Sequence, residues 1–410
     1  MTANVEPLMP DIDLMDAPMP DLYEWFARLR HQGHRVAPLR CHDETAYAVL
    51  GYKDIADILT NEEDFPAAPF YNRGVAPVTG PIMQAMDVKG HHANRALVAR
   101  SFMPGAVRSH AENIARPAAN ALIDDFGDCR SLDLVASFTR PLPFKVISGL
   151  LDVPEEMHDE FPDLLHRMFR YMWEPEDAVR ARSRFDSIIL PLIEKRRHAP
   201  GTDLISNLVH AKQGENSLTD EEVISFCRML YPAGAETSYF AMGSMMWHVL
   251  RDGELTQKLR EHPELRSAAI EEALRMYAPI GLLFRIPPED VVVAGETIPA
   301  GSLIYLPPAS GNYDEGAFND PFTFRVDRFP NPKQPVHLTF GKGMHICLGV
   351  HLARAELLLA LDTLLERLPG LRLLNPDNPG PTGTTSRGMQ ELEVAFDDIL
   401  PDRVPLVANA

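Results

Sequence analysis

Apolar positions recur along most of this chain at helical spacing. Within residues 21–30, Leu22, Trp25, Phe26 and Leu29 fall on one face of a short helix. Two strand-like runs follow, Val36-Ala37-Pro38-Leu39 and Ala46-Tyr47-Ala48-Val49-Leu50, on either side of a polar turn at Cys41-His42-Asp43-Glu44. The period is then lost over residues 65–86. Six prolines or glycines between Pro66 and Pro81 predict a long loop there, of the kind that usually serves function. Residues 90–250 are helical in pattern almost throughout. The clearest start is Thr219 with Glu222 three residues on, the pair of a capping box. The helix opening there is predicted to reach Leu250, about 30 residues or ~45 Å at 1.5 Å per residue. Pro232, Gly234 and Gly243 interrupt it, so the helix is expected to be distorted near its centre.

A second helix, residues 264–277, should stop before Ala278-Pro279, because a residue preceding proline avoids the helical conformation. Strand-like runs follow at 282–286, 291–293 and 303–306, with Pro299-Ala300-Gly301 as the turn between the last two. A coil-rich stretch, 311–335, leads to a final helix over 346–368. Helix outweighs strand, and the fold class is mainly α with small β-sheets.

Composition narrows the setting. The 36 prolines and 25 glycines are spread along 410 residues with no linker, low-complexity tract or repeat. Residues 1–410 therefore read as a single domain, with residues 1–20 an extended arm. A formal charge of −19 excludes the dominant basic field that a nucleic-acid or anionic-membrane partner requires. Cys41, Cys129, Cys227 and Cys347 are far apart and form no CxxC pair, which favours reduced thiols over disulfides. The opening Met1-Thr2-Ala3-Asn4-Val5-Glu6-Pro7 is no signal peptide, and no apolar run reaches the roughly 20 residues of a membrane span. A soluble, cytoplasmic protein is expected.

The densest chemistry lies in Phe340-Gly341-Lys342-Gly343-Met344-His345-Ile346-Cys347-Leu348-Gly349. Two glycines in a tight loop leave a cysteine at the start of the final helix. Backbone N–H groups and the helix dipole there favour a thiolate. A thiolate so placed can bind iron and push electron density towards it, which favours O–O cleavage. Alone, Cys347 reads more readily as a buried structural cysteine. The ten-residue context resembles the haem-binding loop of the cytochrome P450 family at each signature position: Phe340, Gly341, Gly343, His345, Cys347 and Gly349. The likeness extends from about Asp21 to the C-terminal strands.

That resemblance implies the cytochrome P450 fold, with haem b held between the long distorted helix and the C-terminal helix and Cys347 as the metal ligand. Ala233-Gly234-Ala235-Glu236-Thr237 resembles the family's oxygen-activation motif. Thr237 would bond dioxygen and Glu236 relay protons, a general-acid role. The bland alternative is a threonine bonded back to its own helix carbonyl. Glu272 and Arg275 share a helix face and could be a solvated pair. The family instead implies a buried network with Arg328. His91, Arg95, Arg285 and His345 match partners of the haem propionates. One departure is Val88-Lys89-Gly90, where relatives carry a double proline. The family pattern also places Phe70, Thr79, Ala235, Leu282, Leu283 and Met389 in an apolar substrate pocket, with residues 168–173 as another wall or plain core.

The chain holds no fused reductase. By resemblance, electrons would come from a ferredoxin with its NAD(P)H-dependent reductase, docking on Arg95, Arg100, Arg108, Lys342 and Arg354. The function expected is that of a monooxygenase inserting one atom of O2 into a small hydrophobic molecule. Its rivals are a peroxide-driven peroxygenase, disfavoured by the Glu236-Thr237 pair, and a non-catalytic haem sensor.

Overall fold

The computed structural model describes residues 21–402, apart from residues 42–43, 172–173, 282 and 330. The expected arm at 1–20, the middle of the turn at 41–44, Met172, Trp173 and Leu282 lie outside the described residues. The architecture is mainly α with small β-sheets.

Helix α1 (Leu22–His31) buries Leu22, Phe26 and Leu29, the face predicted from its spacing. Strands β1 (Val36–Cys41) and β2 (Glu44–Val49) pair antiparallel, with Val36 opposite Val49, and lead into α2 (Tyr52–Thr60). Residues 65–86 are not the open loop that their composition predicts. They form α3 (Ala68–Gly74), α4 (Ala76–Thr79) and a 3-10 turn, Met83–Ala85. Prolines sit in the first two positions of both helices, where their missing N–H costs nothing and their fixed φ suits the helix. The residues read as breakers are helix starts.

The middle of the chain is helical as expected: α5 (Val88–Val98), α6 (Pro104–His110), α7 (Arg116–Asp124), α8 (Pro141–Leu150), α9 (Phe161–Phe169), α10 (Pro175–His198) and α11 (Leu204–Val209). Three short strands within this span had no visible period: β3 (Ser131–Asp133), β4 (Lys212–Gln213) and β5 (Asn216–Ser217). Helix α12 (Asp220–Tyr231) opens on the capping box. Thr219 Oγ1 accepts from the Glu222 N–H at 3.2 Å, and Glu222 Oε2 accepts from the Thr219 N–H at 2.8 Å. The helix then passes through one π turn, Pro232–Glu236, and continues as α13 (Thr237–Arg251). Pro232 has no N–H to give the ladder, so the local winding widens and absorbs the defect. Helix α13 is buried on nearly every side, as befits a helix through the core.

Then follow α14 (Gly253–Glu261), α15 (Arg266–Met276), β6 (Leu283–Arg285), β7 (Val291–Val293), β8 (Glu296–Ile298), β9 (Leu303–Leu306), α16 (Pro308–Asn312), α17 (Val350–Arg367), β10 (Arg372–Leu373) and β11 (Glu393–Ala395). The β7–β8 hairpin turns at Ala294-Gly295, both at positive φ. The turn at 299–301 therefore joins β8 to β9, not β7 to β9. Helix α17 starts four residues later than predicted, after a 3-10 turn at Gly343–His345.

The main sheet has the order β1-β2-β9-β6, with β9 parallel to β2 and antiparallel to β6. Its strands alternate. Ala46, Ala48, Leu303 and Tyr305 join the large helical core, whereas Val49, Ile304 and Leu306 join a smaller core that includes Ile55, Ile58 and Leu59 of α2. A second sheet, β10-β11-β3, closes the C-terminal part onto the middle of the chain.

Candidate functional site

The cysteine loop is shaped by its glycines. Gly341 and Gly343 have φ of 69° and 72°, a region that suits glycine. A Cβ on Gly343 would lie 2.6 Å from the Leu59 carbonyl oxygen, so the loop fits under the end of α2 only without a side chain. The Cys347 N–H donates to the Phe340 carbonyl at 2.9 Å and closes the loop. Cys347 precedes the first residue of α17 by three positions, which corrects the expectation that it sits in the helix itself. Gly349 is the N-cap, and its N–H is the backbone donor that reaches the sulfur. Burial pushes the Cys347 thiol up, opposed by that N–H and by Arg95 and Arg354. The Arg354 guanidinium lies 4.8 Å from the Phe340 ring centroid. It also pairs bidentately with Glu271, at 2.5 and 2.8 Å.

Four cation-forming side chains gather beside this loop. Helix α5 supplies His91 and Arg95; Arg95 Nη2 donates to the Ile346 carbonyl at 2.7 Å. The His91 and His345 rings meet edge to face, 4.5 Å apart. Strand β6 places Arg285 opposite Ile304 in the main sheet, where it is buried. Neither ring nitrogen of His91 has a hydrogen-bond partner, nor does Arg285 Nε. His345 Nε2 stands 3.2 Å from Glu62 Oε2 without being well aimed at it, and Nδ1 is partnerless. Burial, with His345 and Arg95 close by, lowers His91 to about 4. Burial also lowers Arg285. A buried donor without an acceptor costs about 1–3 kcal/mol. Several such donors converging beside a thiol fit a cofactor that is flat, iron-bearing and edged with carboxylates. The residues present therefore fit haem.

The π turn ends on the acid, and the threonine opens α13. Thr237 Oγ1 donates to the Ala233 carbonyl at 2.7 Å, the back-bond weighed as the bland alternative. Ala233 is exposed along the helix, and Glu236 and Thr237 are half-buried. Burial pushes the Glu236 carboxyl up to about 7. Gly234 and Ala235 are turned elsewhere: a Cβ on Gly234 would lie 2.8 Å from Ile147 Cδ1 of α8, and Ala235 is fully buried in the core.

The expected pocket residues divide. Phe70 stacks on Phe284 at 4.6 Å, whereas Leu283, half-buried, faces the other side of β6 against the smaller core. Met389 is core: its Cβ lies 3.2 Å from where a Gly243 Cβ would be, so that glycine makes the notch it fills. Thr79 is fully buried, with its hydroxyl on the Val75 carbonyl at 3.0 Å. Its own carbonyl accepts from Arg228 Nη1 at 2.9 Å. Arg228 holds Asp186 of α10 at 2.7 and 2.8 Å and Glu221 at 3.1 Å. Arg182 of α10 donates to the Pro77 carbonyl at 3.2 Å. A side chain on Gly80 would overlap Ser225 of α12. Helix α4 is thus tied by charge to both α10 and α12.

Glu272, Arg275 and Arg328 meet in the interior. Arg275 donates to both Glu272 oxygens at 2.8 and 2.9 Å, and Arg328 Nε reaches them at 2.9 and 3.0 Å. The remaining guanidinium hydrogens go to the carbonyls of Asn312, Pro321, Asn319, Asp320 and Thr323. Of the five cations expected on a docking face, Arg100, Arg108 and Lys342 are exposed. Arg95 and Arg354 are engaged as described.

Two carboxylates escaped sequence reading. Glu62 follows α2 in no motif. Glu356 lies fully buried in α17 with both oxygens partnerless, and burial, partly offset by Ser238, raises it to about 8. Its signal was available: Leu352, Glu356, Leu359 and Thr363 form one helical stripe that is otherwise free of charge.

Residues 144–371 match the family model of cytochrome P450. The chain is 33% identical over 393 residues to nocardicin C N-oxygenase of Nocardia uniformis subsp. tsuyamanensis, covering 92% of this chain and 96% of that enzyme. It is 34% identical over 367 residues to mycinamicin IV hydroxylase/epoxidase of Micromonospora griseorubida, covering 87% and 90%. Among solved structures, the bacillaene polyketide synthase cytochrome P450 PksS of Bacillus subtilis 168 superposes with a TM-score of 0.85 at 29% identity, covering 92% and 97%. CYP109E1 from Bacillus megaterium, in complex with testosterone, gives 0.80 at 29% identity, covering 92% and 99%.

Proposed function

The chain belongs to the cytochrome P450 family of haem-thiolate monooxygenases, and from that premise we propose that Cys347 would ligate the iron of its haem b and that residues 1–410 act as a single domain. It is an oxidoreductase that adds one atom of O2 to an organic substrate by hydroxylation or epoxidation. The observation that carries the site assignment is the glycine-shaped loop that holds Cys347 beside a set of buried, partnerless donors.

Bound haem supplies the one-electron steps and the activation of dioxygen. His91, Arg95, Arg285 and His345 would hold its propionates, Phe340, Gly341 and Gly349 would frame the cysteine side, and the backbone of Ala233 and Gly234 would border the other. Glu236, with its carboxyl near 7, keeps a proton in store at neutral pH. Once its bond to the Ala233 carbonyl opens, the Thr237 hydroxyl could accept that proton and hand its own to dioxygen. Leu283, on the same face of β6 as Arg285, presents apolar surface to a small hydrophobic substrate, a reading supported by the steroid bound to the related structure.

Electrons come from a ferredoxin with its NAD(P)H-dependent reductase. The partner docks where Arg100, Arg108 and Lys342 stand exposed on an otherwise acidic chain, with Met103 and Ile346 as exposed apolar neighbours. Among the described residues no helix is long and apolar enough to cross a membrane.

The test is the absorption spectrum of reduced protein with and without carbon monoxide, beside Cys347→Ala. A strongly red-shifted Soret band, lost in the variant, is expected. A band at the ordinary position overturns the thiolate assignment.

A further inference from the structure

We propose that Glu62 is a positioning residue of the haem cradle, holding His345 in place and setting a negative charge beside the propionates. The inference rests on the reading of His91, Arg95, Arg285 and His345 as propionate partners.

Glu62 is anchored independently of any cofactor. It lies two residues beyond α2, and its Oε1 accepts the Ala67 N–H at 2.8 Å as the chain turns into α3. Its Oε2 stands 3.2 Å from His345 Nε2, with the two side chains 17% and 11% exposed. Burial alone would raise the carboxyl. The His345 contact and the Ala67 N–H, with His345 and Arg285 charges nearby, outweigh it and hold Glu62 below its ordinary value. It is an anion at neutral pH. The same contact that seats Gly343 beneath Leu59 and Thr60 brings the end of α2 to the cysteine loop, so His345 and Glu62 are brought together by backbone packing.

A carboxylate is chemically out of place in a site for two carboxylates unless it does something else. Arg95 and Arg285 already match two propionates in charge. Glu62 stands 3.2 Å from His345 Nε2 and positions that ring through this contact, leaving Nδ1, buried and without a partner, for the ligand. A fixed negative charge at the rim also disfavours adding an electron to the bound iron. Glu62 therefore both tightens the cradle and lowers the reduction potential.

The experiment uses haem-loaded protein and two readouts that do not involve turnover: the rate of haem transfer to excess apomyoglobin, and the ferric/ferrous midpoint potential by spectroelectrochemistry. Glu62→Gln, which keeps shape and loses charge, should move the midpoint positive and speed haem transfer several-fold. Glu62→Asp, which keeps the charge, should stay close to the wild-type potential. His345→Ala serves as the reference and should shed haem faster. If it does while Glu62→Gln changes neither readout, the role of Glu62 is overturned and the cradle stands. If His345→Ala keeps its haem as wild type does, the cradle reading fails and the proposal with it.

Discussion

Two carboxyls, Glu236 and Glu356, hold their protons well above the usual carboxylate range for one reason, the loss of water around them. Their consequences differ with position. Glu356 is buried at about 8 against an unfolded value near 4.5. Below pH 4.5 both states are protonated, and above it only the unfolded chain releases the proton, so stability falls as pH rises from about 4.5 to 8 and then levels. Glu356→Gln should remove that loss, gaining a few kcal/mol in denaturant titrations at pH 8 and nothing at pH 4. Glu236, on the π turn, is poised to deliver a proton. Turnover limited by that delivery should decline as pH rises through about 7. Glu236→Gln should be about a hundredfold slower with that decline abolished. A steady-state pH profile with saturating reductant checks both. Of these two acids, sequence revealed Glu236, because a motif surrounds it. Glu356 stayed hidden because its meaning lies in burial, which a helical stripe signals only to a reader seeking the polar exception.

Elements carry the strain of the site. The loop before α17 depends on Gly343, where positive φ and the Leu59 carbonyl leave no room for a side chain. Gly343→Ala should displace the loop or the end of α2, and haem retention after gel filtration should drop. The Glu272, Arg275 and Arg328 cluster bridges α15 to the coil before the loop. Removing Glu272 alone leaves two buried guanidiniums uncompensated, at about 3–5 kcal/mol. Glu272→Ala should accumulate largely unfolded or haem-free, as read by circular dichroism and absorbance. The helices were legible from period and capping, the π turn from Pro232, and the main sheet from its apolar runs. The short strands β3, β4, β5, β8, β10 and β11 were not, because two or three residues are too few to display an alternation. The helices at 68–79 were missed because proline has two meanings, breaker within a helix and starter at its first turn.

At the scale of the molecule, charge separates two events that turnover must join. A net charge of −19 surrounds the exposed Arg100, Arg108 and Lys342, so an acidic ferredoxin, the partner proposed, would meet a local patch on a repelling body. Reduction by ferredoxin should slow as salt screens that patch. Charge reversal at Lys342 and Arg108 should flatten the dependence in stopped-flow traces. The ion cluster that ties α4 to α10 and α12 behaves differently. Where the wall that includes α4 swings aside to admit a bulky guest, Arg228 and Arg182 must let go of their partners first. Arg228 is buried and its bond to α4 goes to a carbonyl, so salt hardly loosens it, and entry should stay nearly independent of ionic strength while reduction slows. Arg228→Met should speed substrate entry at low and high salt alike, as read by stopped-flow binding. A fastening buried in this way would confine the response to ionic surroundings to the step that delivers electrons.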